Sequence, residues 1–384
     1  MKKQIGFFII MAILIGIGIG ILAWNLLTPT LAEGVFYYQV DSTKAKLFLI
    51  AGRDKGTEIV SLPAREVDLG EYKPPRHSYI SHDAKQMIYF KEIGEEPLAD
   101  INLGEDIVVS RVIYEPILIN LKTSKETKIN QSIDSSSLVF SPDDTQIAWI
   151  KGVEEATFET IEETGKKREL WLSRVDGQDA QFLIGFDENV VLLKRWSGDY
   201  IYFQGLWDAI IRSLGRINIK TKEVDYLVPR YCEKFLENCQ NIEFSPSGRY
   251  FLYEIYTKTE DKEITELYLG DFENREFQEI LTTDRISDRL WLNNEKGFFY
   301  TEQETVKKEG LRETIHLVDL KKDTDDVIYT GSYISQLTID SDESYLFFLE
   351  KENDEDFKLI RLNIKTKQTE TILTDNYDHI LLIK

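Results

Sequence analysis

Short runs in which apolar and polar residues alternate are the dominant pattern of this chain. In one of them Ile217 and Ile219 alternate with Asn218 and Lys220, and a tight polar turn follows. A period of two places successive side chains on opposite faces of a β-strand. Such runs, each ending in a polar turn, recur at residues 117–123, 170–177, 216–221, 267–272, 315–320 and 359–366. The pattern predicts an all-β chain of short strands.

A second phrase precedes these runs, a turn followed by aromatic and β-branched residues. Its clear copies are residues 141–150 and 245–253, and looser copies lie at 82–90 and 340–348. In the clear copies Pro142 or Pro246 presets φ at the second turn position, and the serine before it is a residue that bonds to turn backbone. Self-similarity at a period of tens of residues indicates a repeat architecture.

Counting the units gives seven, with four strands in each. Residues 35–40, 45–51 and 57–62 fit the second, third and fourth strands of a first unit, and residues 377–383 form a surplus strand at the other end. Pairing that surplus strand with residues 35–40 closes a ring and leaves no unpaired edge. The sequence therefore predicts a seven-bladed β-propeller of four-stranded blades, about 50 residues each, closed by its terminal strands.

At the repeated phrase the chain resembles the TolB-like, WD40-like (PD40) β-propeller repeat family. Residues 140–149 and 244–253 match the family phrase closely. Other units match in pattern only, since Asp199 stands in a shortened turn and residues 293–297 replace Ser-Pro. The resemblance spans nearly the whole of residues 34–384 and implies the propeller fold. Similar propellers serve as envelope scaffolds, enzyme gates and carbohydrate or peptide readers, so the resemblance does not specify a ligand.

The N-terminus predicts a membrane anchor. Lys2 and Lys3 precede an unbroken apolar run of 20 residues, 5–24, which is long enough for a helix to cross a bilayer. The position of the lysines predicts a cytoplasmic N-terminus and an extracytoplasmic remainder. Cleavage near residues 30–32 is the alternative. The predicted organisation is a cytoplasmic stub (1–4), a transmembrane signal-anchor helix (5–24), a linker (25–33) and a propeller ectodomain (34–384).

Charge and cysteine content narrow the partners. The net charge of −21 argues against nucleic acid, which requires basic patches. Cys232 and Cys239, the only cysteines, are close in sequence and would lie in a compartment where disulfides persist, so we expect them to be bonded to each other. A zinc site is disfavoured because no second cysteine pair or His-x-x-x-His accompanies them.

Catalytic signatures are missing from the sequence. It contains no Gly-x-Ser-x-Gly elbow, and no hydrolase-sized segment follows the last unit. His77, His82, His316 and His379 fall on different units without an evident partner. The acidic runs lack the Asp-x-Asp-x-Asp-Gly spacing of a calcium loop. We therefore expect no catalytic residue, cofactor or metal site.

Loop length points to a binding face. The connections after the first and third strands of each unit are short, whereas those after the second and fourth run long. Examples are residues 91–112, 151–167, 256–263 and 302–312, with the interblade stretches 63–76 and 229–240. In an up-and-down blade these long connections share one rim, where binding residues usually lie. The expected partner-binding residues are Glu92, Glu95, Glu96, Glu154, Glu155, Phe158, Glu162, Glu163, Trp207 and Phe235.

These observations favour a membrane-anchored, non-catalytic binding or scaffold module for an envelope protein or polymer. The alternative is a propeller hydrolase or lyase that acts on peptide or glycan in the central funnel. Carboxylates and a histidine with shifted pKa values, converging at the funnel mouth, would favour the enzyme. A broad loop face without that convergence would favour binding.

Overall fold

A computed structural model describes most of the chain from residue 35 onwards. The described residues are 35–41, 44–50, 56–63, 65–68, 71–73, 77–97, 110–151, 168–186, 188, 190–207, 210–227, 239–258, 263–306, 310–353, 356–376 and 380–383. The expected stub, membrane anchor and linker (residues 1–33) lie outside them. Within the described ranges, no helix is long and apolar enough to span a bilayer.

The described residues form antiparallel strands joined by turns. In chain order the strands are β1 (Val35–Asp41), β2 (Lys44–Ile50), β3 (Thr57–Pro63), β4 (Arg65–Asp68), β5 (Glu71–Lys73), β6 (Ser78–Ile80), β7 (Gln86–Pro97), β8 (Ser110–Asn120), β9 (Lys125–Lys128), β10 (Ile133–Phe140), β11 (Gln146–Lys151), β12 (Arg168–Arg174), β13 (Gln181–Phe186), β14 (Val190–Ser197), β15 (Tyr200–Trp207), β16 (Ile210–Asn218), β17 (Val224–Tyr226), β18 (Cys239–Phe244), β19 (Tyr250–Lys258), β20 (Glu263–Asp271), β21 (Glu276–Thr283), β22 (Ile286–Trp291), β23 (Gly297–Val306), β24 (Gly310–Asp319), β25 (Thr324–Gly331), β26 (Ile334–Ile339), β27 (Tyr345–Lys351), β28 (Asp356–Asn363), β29 (Thr369–Asn376) and β30 (Ile380–Ile383).

The strands assemble into a seven-bladed propeller, as the sequence predicts. Blade 1 consists of β30, β1, β2 and β3, and blades 2 to 7 are β6–β9, β10–β13, β14–β17, β18–β21, β22–β25 and β26–β29. The first strands of neighbouring blades contact one another around the whole ring, from β6 to β30 and back to β6. These seven strands therefore surround a central channel.

Ring closure by the terminal strands is confirmed. β30 pairs antiparallel with β1, with Phe36 opposite Ile383 and Gln39 opposite Ile380. The closing strand is shorter than expected, because it begins at Ile380 and residues 377–379 lie outside the described ranges. Blade 1 is thus completed from both ends of the chain, so neither end leaves a blade edge without its strand.

The hydrophobic core is divided among the interfaces between blades. Along β11, Ile147 and Trp149 face blade 2, whereas Ala148 and Ile150 face blade 4. This follows from the two-residue period, which sends alternate side chains to opposite faces of the sheet. Seven buried clusters result, one between each pair of neighbouring blades. Each fully buried aromatic or aliphatic side chain contributes on the order of 1.5–3 kcal/mol.

The repeated turn phrase is a hydrogen-bonded unit. The Ser141 hydroxyl accepts the Gln146 N–H at 2.9 Å and donates to the Asp143 carboxylate at 2.7 Å. Ser245 accepts the Tyr250 N–H in the same way at 3.1 Å, and both serines are buried. The serine of the phrase therefore fixes the turn and is not a candidate nucleophile.

Candidate binding face and central channel

The rim where second strands pass to third strands, here called the hairpin face, carries projecting β-ribbons. β6 pairs with β7 only as far as Tyr89, and β9 pairs with β8 from Ile117 onwards. Beyond these points β7 and β8 continue as a two-stranded ribbon to the pair Pro97 and Ser110. The region expected as a loop at 91–112 is therefore largely strand.

Ribbons do not project from every blade. β19 and β20 extend to the pair Lys258 and Glu263, and β23 and β24 to Val306 and Gly310. By contrast, blades 1 and 4 connect these strands through two residues each, 42–43 and 208–209. The interblade stretch expected at 63–76 contains a hairpin formed by β4 and β5. The rim is elaborated at some blades and bare at others, which corrects the expectation of long second connections throughout.

The expected partner-binding residues separate into two groups. Glu92, Glu95 and Glu96 lie on β7 within the ribbon, and Trp207 ends β15 at a tight hairpin. The remaining members of the set lie outside the described residues, namely Glu154, Glu155, Phe158, Glu162, Glu163 and Phe235. Cys239 begins β18, but Cys232 is not among the described residues, so the expected disulfide is not tested.

Two exposed apolar residues on the hairpin face were missed by the sequence reasoning. Ile93 is 56% exposed and lies at a β-bulge between Glu92 and Gly94. Tyr333 is 41% exposed and lies between β25 and β26, at a fourth-to-first connection of the same rim. Large apolar side chains exposed beside carboxylates are the kind of anchor that protein partners bury.

The central channel has a charged wall at blades 4 to 6. Lys194, Glu243 and Arg289 lie on β14, β18 and β22, the first strands of these three blades. Arg289 forms a buried ion pair with Glu254 of β19, and Asn241 donates to Glu254 at 2.9 Å. Arg289, Glu254 and Asn241 therefore form one network across the interface between blades 5 and 6, beside Glu243 and Lys194 on the neighbouring first strands.

Burial shifts the pKa values of the two basic side chains on this wall. It lowers the pKa of the Arg289 guanidinium to about 10, and Glu243 opposes that shift. Burial also lowers the pKa of the Lys194 ammonium. The negative charge of Glu243 raises that pKa, and the positive charge of Arg289 lowers it. Lys194 is nevertheless reached by solvent. A side chain that is both crowded by protein and solvated fits a position on the wall of a narrow channel.

Other polar residues of the first strands hold neighbouring blades together. The Ser137 hydroxyl donates to the Val191 carbonyl and accepts the Leu193 N–H, both at 2.9 Å. Asp288 accepts the Leu337 N–H at 2.7 Å. Gln336 accepts the Leu382 N–H at 2.7 Å. Asp288 and Gln336 lie at β-bulges, where the extra residue turns a side chain towards the next strand.

Two histidines have acidic partners that the sequence did not reveal. The His82 ring lies 2.7 Å from Asp144 on the short-turn rim. His316 is buried in blade 6, with Nδ1 at 2.9 Å from Asp325 and Nε2 at 3.4 Å from Glu302. Burial raises the pKa of Asp325, but hydrogen bonds from His316 and Tyr300 outweigh it and hold that pKa below its ordinary value. Neither histidine lies on a first strand.

The described residues contain no group of three or more His, Cys, Asp or Glu side chains placed to hold a metal ion. Nor do they bring a histidine to the channel wall with the carboxylates of β18 and β22. The hairpin face carries projecting ribbons at blades 2, 5 and 6.

Comparison with known proteins supports the fold. Residues 232–382, less than half of the chain, match the family described as "Prolyl oligopeptidase, N-terminal beta-propeller domain". No curated protein matches the sequence. The family model that matches is that of the prolyl oligopeptidase propeller and not of a WD40-like (PD40) repeat, so the propeller fold is the part of the expected resemblance that is confirmed. TolB from Acinetobacter baumannii is among the similar solved structures, with a TM-score of 0.43 at 9% identity over 90% of this chain and 79% of that one.

Several solved propellers share the architecture. A prolyl endopeptidase superposes with a TM-score of 0.59 at 10% identity, over 93% of this chain and 49% of that one. An oligogalacturonate lyase in complex with manganese gives 0.55 at 11% identity, over 84% of each chain. The periplasmic gluconolactonase PpgL of Pseudomonas aeruginosa gives 0.52 at 10% identity, over 91% and 99%. At such identities the likeness shows the fold alone.

Proposed function

We propose that this chain is a membrane-anchored extracytoplasmic propeller that binds an envelope protein or polymer through the hairpin face. The apolar run at 5–24 and the lysines before it support the anchor and its orientation. The rigid ring supports the binding role, because loops and ribbons on a fixed scaffold are usual places for recognition.

The β7–β8 ribbon is the observation that carries this proposal. Beyond Phe90 no other described strand pairs with either of its edges, so main-chain donors and acceptors are available to an added strand. Ile93 supplies an exposed apolar anchor, and Glu92 lies beside it on the ribbon. The ribbon therefore combines main-chain, apolar and charged contacts in one projecting element.

Shortening the ribbon tests the proposal. In the soluble ectodomain, residues 34–384, residues 93–113 are replaced by Asn-Gly, a two-residue connection that suits a tight hairpin. The replacement keeps Tyr114, which packs against the core between blades 2 and 3. We expect the melting temperature to stay near that of the parent and capture of envelope components to fall roughly tenfold or more. Reversal of Glu92, Glu95 and Glu96 to lysine should alter capture and its salt dependence in the same assay.

The matched control lies on the opposite rim. Lys365→Glu changes an exposed charge at a third-to-fourth turn and should leave capture intact. Lys222 and Lys367 are unsuitable controls, because each donates a hydrogen bond to the blade before it. Unchanged capture by the shortened ectodomain, or equal loss with Lys365→Glu, would contradict the binding role of the hairpin face.

A second candidate function rests on Lys194. An ammonium with a lowered pKa on a channel wall is suited to proton transfer, and such groups mark candidate active sites. The corresponding function is a hydrolase or lyase acting on peptide or glycan. Turnover of an oligosaccharide or peptide probe by the ectodomain, abolished by Lys194→Met with the fold intact, would favour this alternative over pure binding.

A further inference from the structure

Cationic side chains latch the outer strands of neighbouring blades. Lys222 of blade 4 donates to the Phe182 carbonyl of blade 3 at 3.5 Å, and Lys367 of blade 7 donates to the Val327 carbonyl of blade 6 at 2.7 Å. Arg275 of blade 5 donates in the same way to the Tyr226 carbonyl of blade 4 at 3.2 Å. Three interfaces therefore use one device, a cation from one blade that reaches the fourth strand of the blade before it.

The latch residue occupies a fixed place in the repeat. It lies four positions after the Asn or Asp that ends the third strand, and its φ is positive, 61° at Lys222, 56° at Arg275 and 58° at Lys367. The sequences after these turns align without gaps. The same position in blade 6 is occupied by Asp323, with φ of 55°. A carboxylate cannot donate a hydrogen bond to a carbonyl, so blade 6 cannot form this latch with blade 5.

A second arginine fills the interface between blades 4 and 5. The Arg216 guanidinium lies 4.8 Å from the centre of the Phe272 ring and 2.5 Å from Glu273, both in blade 5. The residue that aligns with Arg216 in blade 5 is Leu269, which faces blade 6. Between blades 5 and 6, therefore, a shorter apolar side chain and an acid replace the two arginines.

An open groove lies where those arginines are replaced. Its volume is about 340 Å³, and its lining includes Leu269, Glu279 and Asp323. The apolar part of the wall is completed by Ile280, Leu281, Val318 and Leu320, and the acidic part by Asp319 and Asp325. The residue that aligns with Tyr226, whose carbonyl is latched one interface earlier, is Glu279.

The acidic side chains of the groove differ in their hydrogen-bond and ion-pair partners. Asp319 is paired with Lys322 at 2.6 Å, and Asp325 with His316 at 2.9 Å. Within the described part of the chain Asp323 has neither a hydrogen bond nor an ion pair. Glu279 accepts a hydrogen bond from the Thr282 hydroxyl at 3.0 Å and forms no ion pair with a described residue. The carboxylates of Glu279 and of the exposed Asp323 are therefore open to a cation from outside the blade, at the place where neighbouring interfaces hold one.

We propose that this groove binds a basic side chain, an arginine, on the surface of a partner protein. Its aliphatic stem would lie on Leu269 and Leu320. Its guanidinium would meet the Asp323 carboxylate and the main-chain carbonyl of Glu279, the counterpart of the Tyr226 carbonyl that Arg275 meets one interface earlier. The site lies between blades 5 and 6 and does not depend on the hairpin face. It is a second, independent interaction surface.

A labelled peptide with one arginine tests the groove directly. The probe is a fluorescein-labelled Gly-Ser-Leu-Arg-Leu-Ser-Gly, compared with the same peptide carrying citrulline, which keeps the shape and loses the charge. We expect saturable anisotropy with the ectodomain and binding at least about tenfold weaker for citrulline. Asp323→Lys, which restores the latch residue of blades 4 and 7, should abolish binding without lowering the melting temperature.

Two further variants separate loss of the Asp323 charge from a general change of surface charge and from poor folding. Asp326→Lys makes the same charge change at an exposed position that does not line the groove and should keep binding within about twofold. Asp323→Asn removes only the charge and should weaken binding severalfold even if Asp323→Lys folds poorly. Equal binding of both peptides, equal loss with Asp326→Lys, or no binding at about 1 mM protein would overturn the proposal.

Discussion

Asp144 of blade 3 holds His82 of blade 2 through two contacts, from the backbone N–H at 2.9 Å and from ring Nδ1 at 2.7 Å. The same carboxylate accepts the Asp83 N–H at 2.8 Å. Glu343 of blade 7 accepts the Asn294 N–H of blade 6 at 2.8 Å, and Glu295 of blade 6 holds Ser247 of blade 5. An acid at the end of one blade's turn thus caps the turn of the blade before it.

The contacts of Asp144 with His82 and Asp83, here called the clasp, predict that Asp144→Ala lowers the free energy of unfolding. The substitution leaves two turn N–H groups to be satisfied by water instead of a carboxylate, which costs about 0.5–1.5 kcal/mol in the free energy of unfolding. Asp179→Ala is the matched control, since Asp179 is exposed and has φ of 55°, close to the 56° of Asp144. Chemical denaturation of both variants measures the difference. Equal loss of stability would mean that backbone strain at positive φ, and not the clasp, is responsible.

Ring closure predicts a large cost for losing β30. Leu382 is 5% exposed and packs with Val35, Tyr37 and Phe347 between blades 7 and 1. Deleting residues 377–384 removes this contact and exposes the edge of β1, which should cost several kcal/mol. The deletion starts after Asn376 because that residue pairs with Asp356 in blade 7. An unchanged melting temperature would contradict the closure.

The raised pKa of Asp340 predicts that the free energy of unfolding depends on pH. Burial raises the pKa of its carboxyl to about 6, against about 3.8 for an ordinary aspartate. A folded-state pKa above the unfolded one means that folding favours the protonated form, so stability falls as pH rises from about 4 to about 6. At the matching turn position blades 2, 3 and 5 carry Ser81, Ser141 and Ser245.

We therefore expect Asp340→Ser to stabilise the protein above pH 6, on the order of 1 kcal/mol after solvent screening, and to have little effect below pH 4. Thermal melts across pH 4–8 measure this, with Asp326→Ser, at an exposed aspartate, as the control. A gain that is the same at both ends of the pH range would contradict titration of Asp340 as the cause.

The cysteines give a prediction outside the described residues. We expect Cys232 and Cys239 to be bonded to each other, which would stabilise the fold on the order of 2 kcal/mol because so short a loop restrains the unfolded chain modestly. Non-reducing mass spectrometry of protein from its native envelope decides this. Two free thiols would count against the bond and against an oxidising compartment.

The architecture could be predicted from sequence because its signals are local. Alternation along residues 216–221 and the serine turn at Ser141 each determine a strand or a turn within a few residues. Ring closure could be predicted because the first unit lacks a first strand and one strand remains after the seventh unit is complete. The β7–β8 ribbon was missed because residues 91–97 show no alternation of apolar and polar positions and look like a charged loop.

The candidate sites depend on distances along the chain that no pattern shows. Asp144 and His82 are 62 positions apart. The charge of Arg289 affects the pKa of Lys194 only because β14, β18 and β22 are neighbours in the ring. The absent latch at Asp323 is visible in sequence once the repeats are aligned. Sequence alone does not mark Asp323 as part of a candidate site, because an acid in a polar turn is common. The contacts of Lys222, Arg275 and Lys367 show that the same position elsewhere holds a cation.

Photo-crosslinking at Ile93 tests the central claim, that the hairpin face binds a partner in the envelope, most directly. A benzoylphenylalanine at this position in the full chain, in cells that produce it, should give a discrete adduct upon irradiation. The same group at Lys365, on the opposite rim, should give none. An adduct from Lys365 alone, equal adducts from both positions, or none from Ile93 would contradict the account.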